Sequence, residues 1–154
     1  MASHRPASIH RDDSNWPQVE LGPNDDRGYF EQLLKAIFQA GLRWPTIESH
    51  WSGFAKVFHD FEPARVAKMS AREIERAAHN PAIIRNRRKI EDAVASAAAA
   101  NEVIAKYGSF DAYMRSFDDP NAEIQDLQSR FAGLGNYSAW WFMHSVNVPD
   151  AVND

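Results

Sequence analysis

The residues best suited to bind a ligand by charge lie close together: Arg85, Arg87, Arg88 and Lys89 follow shortly after the break at Asn80-Pro81. Proline lacks an N–H and disfavours helical geometry at the residue before it, so a helix ends near Asn80 and another begins among the cations, near Arg87. The start of a helix adds unpaired backbone N–H groups and a positive dipole end to those side chains, which suits an anion such as a nucleic-acid phosphate. The same stretch also suits an ordinary antiparallel helix pair with a solvated basic turn. A second candidate is Trp44, a large aromatic beside Gly41 and Pro45, where one helix must stop and the next begin. Trp16, Trp140 and Trp141 add aromatic surface that core packing or a pinned arm explains equally well. The six histidines show no metal-ligand spacing, and the absence of cysteine excludes disulfides, thiolate metal sites and cysteine nucleophiles. No phosphate-binding glycine loop, nucleophile elbow or kinase signature occurs.

The elements that must position these residues read as helices. Asn24, Asp25 and Asp26 supply caps and favourable charge for a helix from about Asp25 to Ala40, with Phe30, Leu33, Leu34, Ile37 and Phe38 at helical spacing and Gly41 as its stop. Pro45 suits the first turn of the next helix. Ser52 to Phe61 reads as a short core helix presenting Phe54, Val57, Phe58 and Phe61, and Glu62-Pro63 opens another. Ser70 with Glu73 is a capping-box signature for a helix beginning near Ala71. After the basic turn, Arg87 to Lys106 forms a long helix stopped by Gly108, and Ser109 caps its successor. Ile124, Leu127 and Phe131 give a further short face, and Tyr137 to Val146 an aromatic-rich last helix. Adjacent Trp140 and Trp141 point about 100° apart on a helix, so they cannot share one core direction. No stretch shows sustained strand alternation. The expected fold is all-α, a compact multi-helix domain containing a helix-hairpin-helix.

Composition sets the frame. At 154 residues with 44% apolar and 25% charged content, the chain suits one domain with one sizeable core. No run approaches the ~18 apolar residues of a membrane span, and the first residues lack a secretory apolar segment, which predicts a cytoplasmic protein without membrane contact. The net charge of −4 excludes a generally basic nucleic-acid binder but leaves a local basic face open.

Two segments, Gln39 to Trp44 and Phe58 to Ile90, resemble the bacterial DNA-3-methyladenine glycosylase I family of the helix-hairpin-helix superfamily. Gln39-Ala40-Gly41-Leu42-Arg43-Trp44 resembles that family's Gln-Ala-Gly-Leu-Ser-Trp corner except at Arg43. From Phe58 through Phe61-Glu62-Pro63, Val66-Ala67, Met69 and Glu73-Ile74-Glu75-Arg76 to Ile83-Ile84-Arg85-Asn86-Arg87 and Lys89-Ile90, the chain is similar to the family's hairpin region at matching spacing. Gly135 with Phe142-Met143 is a weaker third match, and the whole spans about residues 29 to 146.

The resemblance implies base-excision repair on double-stranded DNA carrying an alkylated purine, whose base is extruded into an aromatic pocket before hydrolysis of its N-glycosidic bond. It implies a base pocket at Trp44, Gln39 and Phe38, with Trp16 standing in for the family's amino-terminal aromatics. It also implies a wedge at Leu42 and phosphate contacts at Arg85, Asn86, Arg87 and Lys89. The family carries a base-contacting glutamate where this chain has Ala36, so no catalytic residue is assigned. It also carries a structural zinc held by cysteine and histidine; without cysteine, neither metal nor cofactor is expected. The expected organisation is an extended arm at 1–22, a helical domain at 23–148 and a tail at 149–154, acting as a monomer. Ala36 leaves two alternatives open, a non-catalytic helix-hairpin-helix DNA binder and a module for small aromatic ligands. Glu31, earlier on the same helix, either reaches a pocket or is an ordinary surface carboxylate.

Overall fold

Helix α1 (Asp26–Gln39) runs through the centre of the molecule because nearly every turn of it is apolar: Tyr29, Phe30, Leu33, Leu34, Ile37 and Phe38 are all enclosed. The computed structural model describes residues 19–40 and 44–147 of the 154. Around α1 lie α2 (Trp44–Glu48), α3 (Trp51–Val57), α4 (Pro63–Val66), α5 (Ala71–Ala78), α6 (Arg87–Tyr107), α7 (Phe110–Arg115), α8 (Pro120–Arg130) and α9 (Asn136–Ser145). The fold is all-α, as the spacing predicts, with one addition. Strands β1 (Val19–Glu20) and β2 (Val146–Asn147) pair in parallel, Val19 opposite Val146, joining the chain before α1 to the end of α9. Two residues per strand are too few to produce an alternating pattern, so this ribbon has no sequence signal.

Local signals set most helix ends. Ser70 Oγ accepts from the Glu73 N–H at 3.1 Å, Asn86 Oδ1 from the Lys89 N–H at 3.2 Å, and Ser109 Oγ from the Ala112 N–H at 2.9 Å. Gly108 ends α6 with φ 95°, a conformation that favours glycine. The acidic residues before α1 act differently from the expected caps. Asp25 Oδ2 accepts from the Gly22 N–H, while Asp26 reaches across to accept the Phe110 N–H at 2.9 Å and holds α7.

The expected single helix from Ser52 to Phe61 is interrupted. After α3 the residues His59, Asp60 and Phe61 have φ of 51°, 59° and 63°, a left-handed turn without glycine. Such a turn costs about 1–2 kcal/mol per residue and persists only where tertiary contacts fix it. Three contacts do so: His59 Nε2 lies 2.6 Å from Glu73 Oε2, Arg27 pairs with Asp60 at 3.5 Å, and the Phe61 ring stacks on Trp51 at 5.3 Å. Glu73 therefore turns to His59 and not back toward Ser70.

Trp141 enters the core, whereas Trp140 is half-buried and stacks between Tyr137 and His144. On α8, burial raises the Glu123 carboxyl from the usual 4.5 to about 7. Between those values the folded protein holds a proton that the unfolded chain has lost, so stability falls as pH rises through this window and the loss is complete above it. Glu123→Gln is expected to remove this slope and to stabilise the protein at pH 8 by roughly 1–2 kcal/mol relative to pH 5. Thermal denaturation of both proteins at the two pH values checks it.

Candidate nucleic-acid and base site

The hairpin is α5, the turn through Asn80-Pro81, and α6. Asn80 Oδ1 accepts the Ala82 N–H at 2.8 Å, closing an Asx turn, and Ile83 is buried beneath it. The turn rests directly on α3, where Gly53 makes room for it: a Cβ at 53 would overlap the backbone carbonyl of Ala82. Gly53→Ala is expected to push the turn away and cost about 1–3 kcal/mol, seen as a lowered melting temperature. An unchanged melting temperature would mean that the turn shifts freely.

The four cations of the hairpin divide by position. Arg85 and Arg88 are exposed and make no ion pair among the described residues. Arg87 pairs with Glu75 and, at 3.9 Å, with Glu91, both exposed partners. Asn86 is the N-cap of α6. Lys89 departs from its expected role at a phosphate. Its ammonium turns inward and donates to the carbonyls of Ile37 and Ala40, at 2.9 and 2.7 Å, at the C-terminal end of α1. Helix α1 ends on Ala40 with φ −58° and ψ 117°, without a left-handed residue to fold the chain back on its last carbonyls. A cation supplies the missing donors and complements the negative end of the helix dipole. Burial holds the Lys89 pKa below the ordinary lysine range, against the opposing pull of Asp92.

The end of α1 that Lys89 holds carries the second half of the site. Gln32, Ala36 and Gln39 are spaced four and three residues apart and so form one stripe. All three are enclosed, at 3%, 0% and 1% exposure. The stripe faces the end of α9: Gln32 Nε2 donates to Ser145 Oγ at 3.2 Å, and Ser145 Oγ donates to the Phe142 carbonyl at 3.0 Å. Gln39 Nε2 is buried and has no hydrogen-bond partner among the described residues. Gln32 and Ser145 are not among the expected site residues; the only signal for them is two glutamines sharing a stripe on an otherwise apolar helix.

Phe38 lies on another face of α1 from that stripe. Its ring meets Phe54 edge-on at 4.8 Å and Phe58 at 5.8 Å, and it has no exposed surface, so it belongs to the core between α1 and α3 and not to a pocket wall. Glu31 accepts the Trp51 indole N–H at 2.9 Å, with Lys35 at 3.9 Å and over the same ring. It is therefore a carboxylate with a structural partner. Burial lowers the Lys35 pKa, with Glu31 and Glu48 opposing. Trp44 opens α2, but its side chain lies outside the described residues, as do Leu42, Trp16, most of the expected arm and the tail. No group of three or more histidine, aspartate or glutamate residues that could hold a metal exists among the described residues, and without cysteine the donor set does not fit the family's zinc. No described helix is long and apolar enough to cross a membrane.

Comparison with known proteins points the same way as this geometry. Residues 1–136 match the family model for methyladenine glycosylase. The DNA-3-methyladenine glycosylase of Haemophilus influenzae is 31% identical over 165 residues, covering 92% of this chain and 87% of that protein. A crystal structure of 3-methyladenine DNA glycosylase I superimposes with a TM-score of 0.73 at 25% identity, covering 94% of both chains. The Staphylococcus aureus 3-methyladenine DNA glycosylase I, solved to show how it recognises 3-methyladenine, gives a TM-score of 0.72 at 25% identity over 90% of this chain and 84% of its own. With a family model spanning most of its length and a relative of this identity and coverage, the chain belongs to the methyladenine glycosylase family, the DNA glycosylases of base-excision repair.

Proposed function

We propose that this chain, acting as a cytoplasmic monomer, excises an alkylated purine from double-stranded DNA. The observation that carries this reading is Lys89. It ties the hairpin helix α6 to the end of α1, so the cations that would hold the DNA and the stripe that would meet the base are one mechanical unit. In this reading Arg85, Arg88, Arg87 and the start of α6 at Asn86 grip phosphates, positioning the duplex without reading sequence. Arg87 would exchange its exposed carboxylate partners for phosphate, a step of small cost because such surface pairs contribute at most about 1 kcal/mol. Leu42 wedges into the vacated stack, and Trp44 and Trp16 offer faces to the extruded base beside Gln39.

The chemistry asks little of the protein. A base alkylated on a ring nitrogen is cationic, is attracted to aromatic faces, and leaves as a neutral molecule. The electrons of the C1′–N bond go to the base and cancel its charge. A water oxygen bonds to C1′, and its proton passes to solvent. Orientation and exclusion of bulk water, not a strong acid, are the main requirements. A second reading, a DNA binder without excision, is favoured by Ala36, a fully enclosed position with no polar atom to steer that water.

Incubation with duplex DNA treated with a methylating agent, followed by chromatography of free bases, separates the two. Release above the spontaneous rate is expected. Intact duplex binding without release would overturn the enzyme reading.

A further inference from the structure

Resting on the base-excision reading above, we propose that Asp92 of α6 is a catalytic carboxylate of this chain, facing C1′ of the extruded nucleotide and the water that attacks it. A nucleotide's sugar lies between its phosphate and its base. With phosphates at Arg85, Arg88 and the start of α6, and the base at the end of α1, the sugar lies over the place where those two helices meet. Lys89 marks that junction through its bonds to the Ile37 and Ala40 carbonyls. Asp92 follows Lys89 by three residues, so it stands on the same side of α6, one turn further along. Its side chain occupies the seam between α1 and the loop after α8. A Cβ at Gly133 would lie 3.1 Å from Asp92 Oδ2, 3.2 Å from its Cβ and 3.1 Å from Ile37 Cγ2. Gly133 has φ 92°, so the loop closes over the carboxylate because the residue there carries no side chain.

The state of this carboxylate suits the role. Asp92 is half-buried, and among the described residues its side chain makes neither a hydrogen bond nor an ion pair. Lys89 attracts it from a distance while donating to α1, and Arg88, four residues earlier on the same helix, does not pair with it. Glu31, by contrast, is held by Trp51 and Lys35. Asp92 therefore keeps its acceptor sites for a ligand or a water, which the enclosed Ala36 cannot offer. As the C1′–N bond breaks, its electron pair leaves with the base, and positive charge develops on C1′ and the ring oxygen of the sugar. A fixed carboxylate facing that charge stabilises the transition state more than the bound substrate. The water whose oxygen bonds to C1′ donates a hydrogen bond to Asp92, and its proton passes to the carboxylate and on to solvent. The base departs neutral, so no acid is needed on its side.

The test compares the full chain with Asp92→Asn and Asp92→Ala on duplex DNA treated with a methylating agent. Base release is followed under single-turnover conditions at saturating protein, with duplex affinity and melting temperature measured alongside. Asparagine keeps the shape of the side chain and removes its charge. Release is expected to fall about 100-fold in both variants. Duplex affinity should be unchanged or slightly tighter, since a negative charge near the DNA is lost, and the melting temperature should stay within a few degrees because no hydrogen bond is broken. Wild-type release with both variants within about 2-fold of it would overturn the proposal alone and leave the excision reading standing. A fall in release matched by an equal loss of duplex affinity or by a collapse of the melting temperature would assign Asp92 to binding or to the fold, and would also overturn it. Wild-type release no faster than the spontaneous rate would overturn the excision reading, and this proposal with it.

Discussion

Asp111→Ala is expected to destabilise the protein by about 3–5 kcal/mol, a larger loss than Gly53→Ala or Lys89→Met should cause. Asp111 lies almost wholly inside the fold and serves two elements at once. Its Oδ1 accepts the Tyr29 hydroxyl at 2.8 Å, and its Oδ2 accepts Arg115 Nε at 2.7 Å. Tyr29 is fully enclosed, stacked on Phe110 at 5.2 Å, and its pKa is driven well above the ordinary tyrosine range, by burial first and by the Asp111 carboxylate second. Removing the carboxylate leaves a buried hydroxyl and a mostly buried guanidinium without this acceptor, and α7 keeps only its Asp26 hydrogen bond and ring packing on α1. Asp111→Asn keeps one acceptor for Tyr29 and should cost less, about 2 kcal/mol. Chemical denaturation measures both; equal, small losses would show that the pair is replaceable by water.

Lys89→Met is expected to show a different pattern. Two charge-assisted hydrogen bonds to α1 carbonyls disappear, for a loss of about 2–4 kcal/mol that the desolvation of the ammonium partly offsets. Base release should fall at least 10-fold, because the turn carrying Gln39 is no longer held against the hairpin. DNA affinity and its salt dependence should stay close to wild type, since this ammonium is spent on the carbonyls of Ile37 and Ala40. Arg85→Ala and Arg88→Ala should do the reverse, each lowering affinity for any sequence and reducing the slope of log affinity against log salt by about 0.9. If Lys89→Met reduced that slope by the same amount, Lys89 would be a phosphate contact after all.

Lys89 also shows where sequence reading reaches its limit. Four cations in five positions announce an anion-binding turn, but nothing local distinguishes the one that turns inward, because its partners on α1 are distant in sequence. The caps at Ser70, Ser109 and Gly108 are legible because each acts on its own neighbours. The left-handed turn at His59–Phe61 is not, since Glu73, Arg27 and Trp51 hold it from outside. The resemblance makes Phe38 a pocket wall beside Gln39, yet one residue along a helix is about 100° around it, and that rotation puts the ring against Phe54 and Phe58. Gln32 and Ser145 meet across most of the chain and leave no trace beyond a helical stripe. Family membership is legible from the hairpin and the corner together, because each motif matches at the same spacing.

In the proposed mechanism a chain with alanine at position 36 still excises a base, with Gln39 at the end of α1 as part of the base site. Single-turnover counting of abasic sites in methylated duplex DNA, wild type beside Gln39→Leu, tests this most directly. Sites are expected to accumulate well above spontaneous depurination with wild type and at a rate at least 10-fold lower with the variant. Wild-type accumulation no faster than in protein-free DNA, with the duplex fully bound, would contradict it.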